Sequence, residues 1–160
     1  EAARLGCAAG LVTETRDLLA APPPAASFDL ALLDAPCSGL GVVRRRPDLK
    51  WNKQPQDIAR LAEGQSALLA AVAPAVKPGG RLLYGVCSVN DEEGPEIIRR
   101  FLADRADFQA LPAAAWPESL RPFLKDGPGL TLWPHRHGLD GFFWASLRRS
   151  GGARSGLSGP

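Results

Sequence analysis

The amino-acid sequence predicts a single α/β domain built around a largely parallel sheet. Short apolar runs typical of strands alternate along the chain with two segments of helical periodicity, an order typical of parallel strands joined through helices. The chain has 160 residues, and its hydrophobic content of 45% is enough for a real core. No apolar stretch approaches the roughly 18 residues of a membrane-spanning helix.

Each element follows from a local pattern. Alternating or continuous apolar residues predict strands, apolar residues at helical spacing predict helices, and clusters of Pro and Gly predict the breaks. Pro78-Gly79-Gly80, for instance, is expected to stop the long helix and turn the chain. In chain order the predicted elements are a helix end at Glu1–Gly6, a strand at Leu11–Thr15, a proline-rich loop at Ala20–Ser27, a buried strand at Phe28–Leu33, a helix at Gln56–Val76, a strand at Arg81–Val86, a helix at Pro95–Ala103, an irregular stretch at Ala110–Pro128, and strands at Leu130–Leu132 and Phe142–Leu147.

Charge and cysteine content exclude several classes of protein. The net charge of +2 does not by itself demand a nucleic-acid partner, and three cysteines without a Cys-x-x-Cys spacing give neither a disulfide scaffold nor a zinc signature. No signal peptide opens the chain, so we expect a reducing, cytoplasmic location. Because Met is absent and the chain opens at Glu1, we also expect a piece of a longer protein whose beginning is missing.

Unusual residues directly follow two of the predicted strands. Asp34-Ala35-Pro36-Cys37 comes after the strand at Phe28–Leu33, and Cys87-Ser88 comes after the strand at Arg81–Val86. Ligands of open α/β sheets bind at the carboxyl ends of strands, and neighbouring strands would bring the two cysteines together. From the residues alone, a pair of buried structural thiols remains the alternative.

Three blocks of residues, in order, carry a family resemblance. The first is Asp34–Gly41 (DAPCSGLG) with Arg44–Trp51 (RRRPDLKW); the second is Gln65, Leu68, Leu69, Lys77–Gly80, Leu82, Leu83, Tyr84, Cys87, Ser88, Glu92 and Glu93; the third is Asp140–Phe143 (DGFF) with Ala145 and Leu147. Together they resemble the signatures of the Sun/Fmu-type (RsmB-like) rRNA cytosine-C5 methyltransferases. One block would be weak, but three in order are specific and cover most of the chain.

The resemblance implies a class I S-adenosylmethionine-dependent methyltransferase (Rossmann-like) fold, incomplete in its N-terminal half, with residues 1–149 as the C-terminal part of the catalytic domain. It implies that Cys87 adds to C6 of a cytosine so that C5 can accept the methyl group of S-adenosylmethionine, and that Cys37 assists release. Asp34 would hold the flipped cytosine near the methionine part of the cofactor, and Asp17 would contact its adenine.

A missing N-terminal half would have consequences for binding and for the sheet. The resemblance places the glycine-rich cofactor loop there, so we expect the chain alone to bind the cofactor weakly or not at all. We also expect the strand at Leu11–Thr15 to lack neighbours and the strand at Phe28–Leu33 to have an open edge. At the other end, residues 150–160 are rich in Gly, Ser and Arg, which predicts a disordered tail.

A basic cluster beside the first block is the candidate RNA contact. Arg44, Arg45, Arg46 and Lys50 can pair with phosphates, and we interpret Trp51 as a core residue rather than a stacking platform. The expected partner is RNA, most simply rRNA, with no membrane and no metal. The sequence does not choose between rRNA and tRNA, and it does not give the oligomeric state, for which a monomer is the default expectation.

Three residues depart from the resemblance and one segment imitates it. Gly85-Val86 stands where the family has Ser-Thr, and Gly94 where it has Asn. The change at Gly85-Val86, together with the missing cofactor loop, keeps open a degenerate, non-catalytic relative that binds RNA or a partner. Cys7-Ala8-Ala9-Gly10 imitates the cofactor loop, but it falls between a helix end and a strand, so we interpret it as a coincidence. A thiol–imidazole hydrolase pair would need His135 or His137, both expected in a loop and without a third orienting residue.

Overall fold

A five-stranded sheet organises the residues that the computed structural model describes, which are 3–7, 9–124 and 127–151. Helices of 18 and 10 residues connect its first three strands. The strands are β1 (Phe28–Asp34), β2 (Val76–Val86), β3 (Phe108–Ala110), β4 (Leu130–Leu132) and β5 (Phe142–Arg149), and the helices are α1 (Pro55–Val72), α2 (Pro95–Asp104) and the single turn α3 (Pro134–His137). Short 3-10 segments lie at Leu40–Val42, Pro47–Lys50, Ala73–Ala75, Ala113–Ala115 and Glu118–Phe123.

The strand order is β1-β2-β5-β3, and β4 also pairs with β5. β1 and β2 run parallel, whereas β5 is antiparallel to β2, β3 and β4. The prediction of a largely parallel sheet is therefore wrong for the described residues, in which one pair of strands is parallel. The connections show the difference. α1 provides the crossover that the parallel strands β1 and β2 need, whereas β5 enters the sheet beside β2 in the opposite direction.

β1 lies at the edge of the described sheet, which confirms the predicted open edge. The prediction that this strand is buried is wrong, because Phe28, Leu30 and Leu32 are 45%, 56% and 60% exposed. The predicted strand at Leu11–Thr15 is also wrong: the segment is irregular and Val12 is 92% exposed. An alternating pattern forms a strand only where a neighbouring backbone can pair with it, and no described strand does so here.

The predicted long helix is confirmed as α1, although it ends earlier than expected. Pro55 occupies the first turn, where its missing N–H is no loss, and the Gln54 N–H donates to the Asp57 carboxylate at 3.0 Å. The helix ends at Val72 and gives way to a 3-10 turn that contains Pro74. Since proline has no N–H to donate, it cannot continue the helical hydrogen-bond ladder.

β2 begins before the turn that the sequence predicted at Pro78-Gly79-Gly80. That prediction is wrong, because the strand starts at Val76 and runs through the tripeptide. Pairing with β1 is irregular at this point: Phe28 faces Val76, while Leu30 faces Arg81, so the tripeptide bulges between them. Its middle residue has a φ of +81°, which glycine adopts without strain.

The hydrophobic core lies between one face of the sheet and the helices α1 and α2. Strand alternation sends every second residue of β2 and β5 into this core, and helical spacing sends one face of each helix there. The largest contributions come from Leu82, Tyr84, Val86, Phe143, Ala145, Leu147, Leu69, Val72, Ile97, Ile98 and Phe101, all of them buried. β2, the strand that ends at Cys87, is thus held in place by the core.

The opposite face of the sheet carries a separate apolar cavity of about 380 Å³. It lies between β2, β5 and the 3-10 segments after β3, with Trp116 and Trp144 as its large rings. These segments belong to the stretch Ala110–Pro128, whose predicted irregular character is confirmed in its described residues, apart from Ala110 at the end of β3. None of the described helices has the length and apolar character needed to cross a membrane.

The predicted helix end at Glu1–Gly6 and the predicted disordered tail at residues 150–160 lie partly outside the described residues. Residues 3–6 form a turn in which the Gly6 N–H donates to the Ala3 carbonyl at 3.1 Å, and Gly6 has a φ of +70°. In the tail, the Ser150 N–H donates to the Asp107 carbonyl at 2.8 Å. The rest of the predicted disordered tail, residues 152–160, lies outside the described residues.

Packing around Gly85 generates a stability prediction. Gly85 faces Trp144 across the β2–β5 pair, and a Cβ there would lie 2.4 Å from a ring carbon. We expect Gly85→Ala to lower the free energy of unfolding by about 1–3 kcal/mol, because the added methyl group overpacks the site. Gly64→Ala is the matched control: Gly64 lies in α1 with open space around it, and the same change should raise stability by about 0.5–1 kcal/mol.

Urea unfolding followed by circular dichroism measures both variants. A Gly85→Ala chain as stable as the parent would contradict the packing of Trp144 over this glycine.

Candidate active site

The carboxyl ends of β1 and β2 meet at the same edge of the sheet. Asp34 faces Gly85 in the parallel pair, and the Ala35 N–H extends the ladder by donating to the Gly85 carbonyl at 3.0 Å. The chain leaves both strands here in two loops, which we call the Cys37 loop (residues 35–41) and the Cys87 loop (residues 87–94). The sequence prediction that these strand ends are neighbours is confirmed.

The two cysteines that follow these strands are in contact. The Sγ atoms of Cys37 and Cys87 lie 3.2 Å apart, and both side chains are half-buried. Their proximity confirms what strand order predicted from residues far apart in sequence. Two thiols this close share one hydrogen bond, so one sulfur donates and the other accepts.

The surroundings of Cys37 keep its thiol protonated. Burial, followed by the hydrogen bond to Cys87, raises the pKa of the Cys37 thiol to about 12. At neutral pH Cys37 therefore keeps its proton and can donate it to the sulfur of Cys87. The same buried environment, together with the negative charge of Glu93, raises the pKa of the nearby Tyr84 hydroxyl.

Cys87 opens into a cavity of about 420 Å³, whereas Cys37 does not line it. A ligand in this cavity would therefore meet the sulfur of Cys87 and not that of Cys37. The other lining residues are Asp34, Val42, Arg45, Arg46, Asp140 and Phe142.

Two glycines hold a third loop against the cysteine loops. The Gly41 N–H donates to the Cys87 carbonyl at 3.0 Å, and the Gly141 N–H donates to the Gly41 carbonyl at 2.8 Å. A Cβ at Gly41 would lie 2.0 Å from the Gly141 carbonyl oxygen, so backbone contact this close requires glycine. This junction fixes Asp140, which precedes Gly141, at the wall of the cavity.

Asp140 is a buried carboxylate that anchors two of the predicted RNA-binding arginines. It pairs with Arg45 through a hydrogen bond and with Arg44 at 3.6 Å. These contacts, the hydrogen bond from Arg45 above all, lower the pKa of Asp140, so it is ionised at neutral pH.

The sequence prediction quoted Asp140 only as part of the closing strand motif and gave it no place in the site. Phe142 was missed in the same way. The sequence did contain a signal for Asp140: an acidic residue stands beside a glycine in a chain with three consecutive arginines. A buried carboxylate needs cationic partners, and the arginines could supply them.

The remaining basic residues lie on the surface around the cavity. Arg46 pairs with Asp48 at 3.5 Å, and the Nζ of Lys50 lies 5.2 Å from the centre of the Trp51 ring. The prediction that Trp51 is a core residue is wrong, because its side chain is 76% exposed. The 3-10 turn at Pro47–Lys50 leaves it on the surface, where the Lys50 ammonium group lies over its ring.

Asp17 lies on the surface and closes its own turn. Its Oδ1 accepts hydrogen bonds from the backbone N–H groups of Leu19 at 2.9 Å and Ala20 at 3.4 Å. It does not line the cavity that holds Asp34 and Cys87. The predicted contact of Asp17 with a cofactor is therefore not tested by this geometry.

Neither histidine reaches the cavity beside Cys87. His135 and His137 lie in the single turn α3, and the Nδ1 of His137 accepts the Trp133 N–H at 2.9 Å. The geometry therefore does not assemble the hydrolase pair that the sequence left open. Among the described residues, no three His, Cys, Asp or Glu side chains are grouped to hold a metal ion.

The departures from the family pattern have packing explanations. Gly85 lies under the Trp144 ring on the far face of the sheet, and Val86 is fully buried in the core. A Cβ at Gly94 would lie 3.0 Å from the ring of Phe143. Since none of the three lines the cavity, none of them alters the surroundings of a bound ligand directly.

Comparison with known proteins identifies the family of the chain. The model of the family described as 16S rRNA methyltransferase RsmB/F matches residues 2–148. The chain belongs to the RsmB/F family. It is 47% identical over 126 residues to the "Probable ribosomal RNA small subunit methyltransferase B" of Bacillus subtilis (strain 168), an alignment that covers 78% of this chain and 28% of that relative. The chain thus spans little more than a quarter of the curated relatives it matches.

Solved structures confirm the predicted class I methyltransferase (Rossmann-like) fold. The structure titled "Crystal Structure of PH0851" is 38% identical with a TM-score of 0.67, and covers 78% of this chain and 27% of that chain. The structure titled "The crystal structure of NSun6 from Pyrococcus horikoshii with SFG" is 28% identical with a TM-score of 0.59, and covers 74% and 29%. Membership of the RsmB/F family confirms the resemblance found in the sequence.

The unequal surroundings of the two thiols predict unequal reactivity. With iodoacetamide at mildly alkaline pH, Cys37 should be modified at least about tenfold more slowly than Cys87, because the thiolate is the reactive form and the pKa of Cys37 is near 12. Mass spectrometry of the digested chain measures both rates, and in concentrated urea the two rates should converge. Equal rates in the folded chain would contradict the assignment of Cys37 as the protonated partner.

Proposed function

We propose that the protein containing this chain transfers a methyl group from S-adenosylmethionine to C5 of a cytosine in ribosomal RNA, through a covalent bond between Cys87 and C6. The observation that carries the proposal is the contact of two half-buried thiols at 3.2 Å, of which Cys87 alone opens into the cavity. Support for ribosomal RNA comes from the RsmB/F family description. Residues 1–149 would form the C-terminal part of the catalytic domain.

A cysteine nucleophile would overcome the low reactivity of C5 in cytosine. C5 of cytosine is too weak a nucleophile to accept a methyl group unaided. When the Cys87 thiolate adds to C6, the C5–C6 π bond breaks and its electrons make C5 enamine-like. S-adenosylmethionine supplies the methyl group as part of a sulfonium. The cytosine must leave its base stack to reach Cys87 in this cavity.

Release of the product requires a second group beside Cys87. The C5 proton must leave, the C5–C6 double bond must re-form, and the bond between C6 and the Cys87 sulfur must break. The Sγ of Cys37, 3.2 Å from the departing sulfur and protonated at neutral pH, can give it a proton. The resulting Cys37 thiolate takes the proton that leaves C5, so Cys37 is a thiol again. Cys87, now also a thiol, must release its proton to solvent before it can add to the next cytosine.

Asp34 suits the cofactor and the base on grounds of charge and position. Its exposed carboxylate lies at the end of β1 and lines the same cavity as Cys87. A carboxylate there would attract the positively charged amino acid part of S-adenosylmethionine and could accept a hydrogen bond from the cytosine amino group. The role of Asp17 toward adenine rests on the family resemblance.

The basic residues around the cavity suit an RNA backbone. Although Arg44 and Arg45 pair with Asp140, their side chains are 61% and 71% exposed, so they retain donors that face solvent. Arg46 lines the cavity directly. Guanidinium groups bind phosphates with two hydrogen bonds, which would guide an RNA strand across the opening. No specific observation favours a non-catalytic relative, since the departures at Gly85-Val86 lie away from the cavity.

RNA carrying 5-azacytosine tests the covalent step, because the aza substitution prevents proton loss and traps the adduct. In a full-length protein containing this chain, the wild type and Cys37→Ala should give a covalent band on a denaturing gel, and Cys87→Ala should give none. On ordinary RNA, Cys37→Ala alone should accumulate the band, since its release step is impaired. Cys7→Ala, a change outside the site, is the control and should behave as wild type.

A wild-type protein that binds RNA and cofactor but yields no band would overturn the proposed reaction. A band that persists in Cys87→Ala would overturn the choice of nucleophile.

Salt dependence of binding tests the RNA contacts. Arg46→Ala should weaken RNA binding and reduce the slope of log affinity against log salt by about 1, because one phosphate contact is lost. Arg46 is the best position for this test, since replacing Arg45 would also remove the hydrogen bond that Asp140 accepts from it. Fluorescence anisotropy at several salt concentrations measures the slope. Arg60→Ala, at an exposed position on α1, should leave the slope unchanged; an unchanged slope in Arg46→Ala would contradict the proposed contact.

A further inference from the structure

A buried carboxylate lies behind the two cysteine loops. Glu93 belongs to the Cys87 loop and is completely inaccessible to solvent. Its Oε1 accepts the Ser38 backbone N–H at 2.7 Å and the Gln65 side-chain N–H at 3.0 Å, and its Oε2 accepts the Ser38 hydroxyl at 2.5 Å. Burying a carboxylate is costly unless it is hydrogen-bonded, so these three donors stabilise it in place.

The contacts of Glu93 converge on the residue that follows Cys37. Ser38 is held through both its backbone N–H and its hydroxyl. Its Oγ also lies 3.3 Å from the Oγ of Ser88, the residue that follows Cys87. One hydrogen-bonded cluster therefore contacts both loops at equivalent positions: Ser38 and Ser88 each lie one residue beyond a cysteine.

The residue that precedes Cys37 is held as well. Gln65, on α1, donates to the Pro36 carbonyl at 2.9 Å in addition to its contact with Glu93. The Tyr84 hydroxyl, on β2, donates to the Glu93 carbonyl at 2.7 Å and lies 3.2 Å from the Gln65 Oε1. Cys37 is thus fixed on both sides by a cluster anchored in the core helix and the central strand.

From this geometry we infer that Glu93 is a positioning residue for the release step: through Ser38 and Gln65 it holds the sulfur of Cys37 against the sulfur of Cys87. Glu93 does not line the cavity, so it does not touch the substrate. We expect its main effect at Cys37, because Cys87 directly follows β2, whose last residue, Val86, is held by pairing with Phe143 of β5. The inference deepens the proposed function and rests on it for the release chemistry.

Chemical modification tests the positioning without any catalytic assay. In the 160-residue chain, Glu93→Gln places an amide N–H₂ group against a cluster of donors and should loosen the Cys37 loop. We expect iodoacetamide to modify Cys37 about fivefold or more faster in this variant, with the rate at Cys87 unchanged within about twofold. Glu92→Gln is the matched control, because Glu92 is adjacent but exposed, and it should match the parent.

Trapping experiments in a full-length protein containing this chain test the step. With 5-azacytosine RNA, Glu93→Gln should form the Cys87 adduct at a rate within about twofold of wild type. On ordinary RNA the variant should accumulate the adduct and turn over about tenfold or more slowly, since release is impaired. If Glu93→Gln does not fold, as judged by its thermal transition, Ser38→Ala decides the matter, and it should show the same pattern more weakly.

A merely structural role would give a different result. A folded Glu93→Gln protein that loses adduct formation and turnover by the same factor, or that turns over normally, would overturn the inference. Unchanged alkylation of Cys37 in both Glu93→Gln and Ser38→Ala would overturn it as well. If wild type itself forms no adduct, the proposed reaction fails and the release role falls with it, whereas the alkylation result still reports whether Glu93 positions Cys37.

Discussion

The parallel pairing of β1 with β2 is the constraint on which the candidate site depends. Because Asp34 faces Gly85, both strands end at the same level, and the two loops that follow must run side by side. Three contacts join these two loops. The two thiols are in contact, Glu93 accepts a hydrogen bond from the Ser38 hydroxyl, and the Gly41 N–H donates to the Cys87 carbonyl. A slip of two residues in the register would separate both loops by about 7 Å, more than any of these contacts can span.

Three carboxylates near this edge of the sheet differ in their exposure and in the groups that surround them. Asp34 is exposed and remains available to a ligand. Asp140 is buried but faces the guanidinium groups of Arg44 and Arg45. Glu93 is buried with neutral donors, and no salt bridge to it exists among the described residues. The same chemical group is therefore exposed at one position, paired with cations at the second and an internal hydrogen-bond acceptor at the third, because its surroundings differ.

Local pattern was sufficient to predict the elements that place the cysteines. The apolar run before Asp34, the helical periodicity of α1 and the strand before Cys87 each depend on short-range preferences, and strand order alone then predicts adjacency. Burial could not be predicted in the same way. Trp51 is exposed, and Glu93 is buried, since burial depends on which surfaces meet in the folded chain. The alternation at Leu11–Thr15 fails for a related reason: a strand also needs a neighbour.

Strand alternation also explains why the two residues immediately before Cys87 do not reach the cavity. Successive side chains of β2 point to opposite faces, so Gly85 lies beneath Trp144 and Val86 lies among the core side chains. The cavity lies beyond the end of β2 and not on either face of the sheet. Cys87 reaches the cavity because it is the first residue beyond β2 and is no longer bound by this alternation. Gly85 and Val86 therefore meet packing partners on opposite faces of the sheet, whereas Cys87 lies at its edge and lines the cavity.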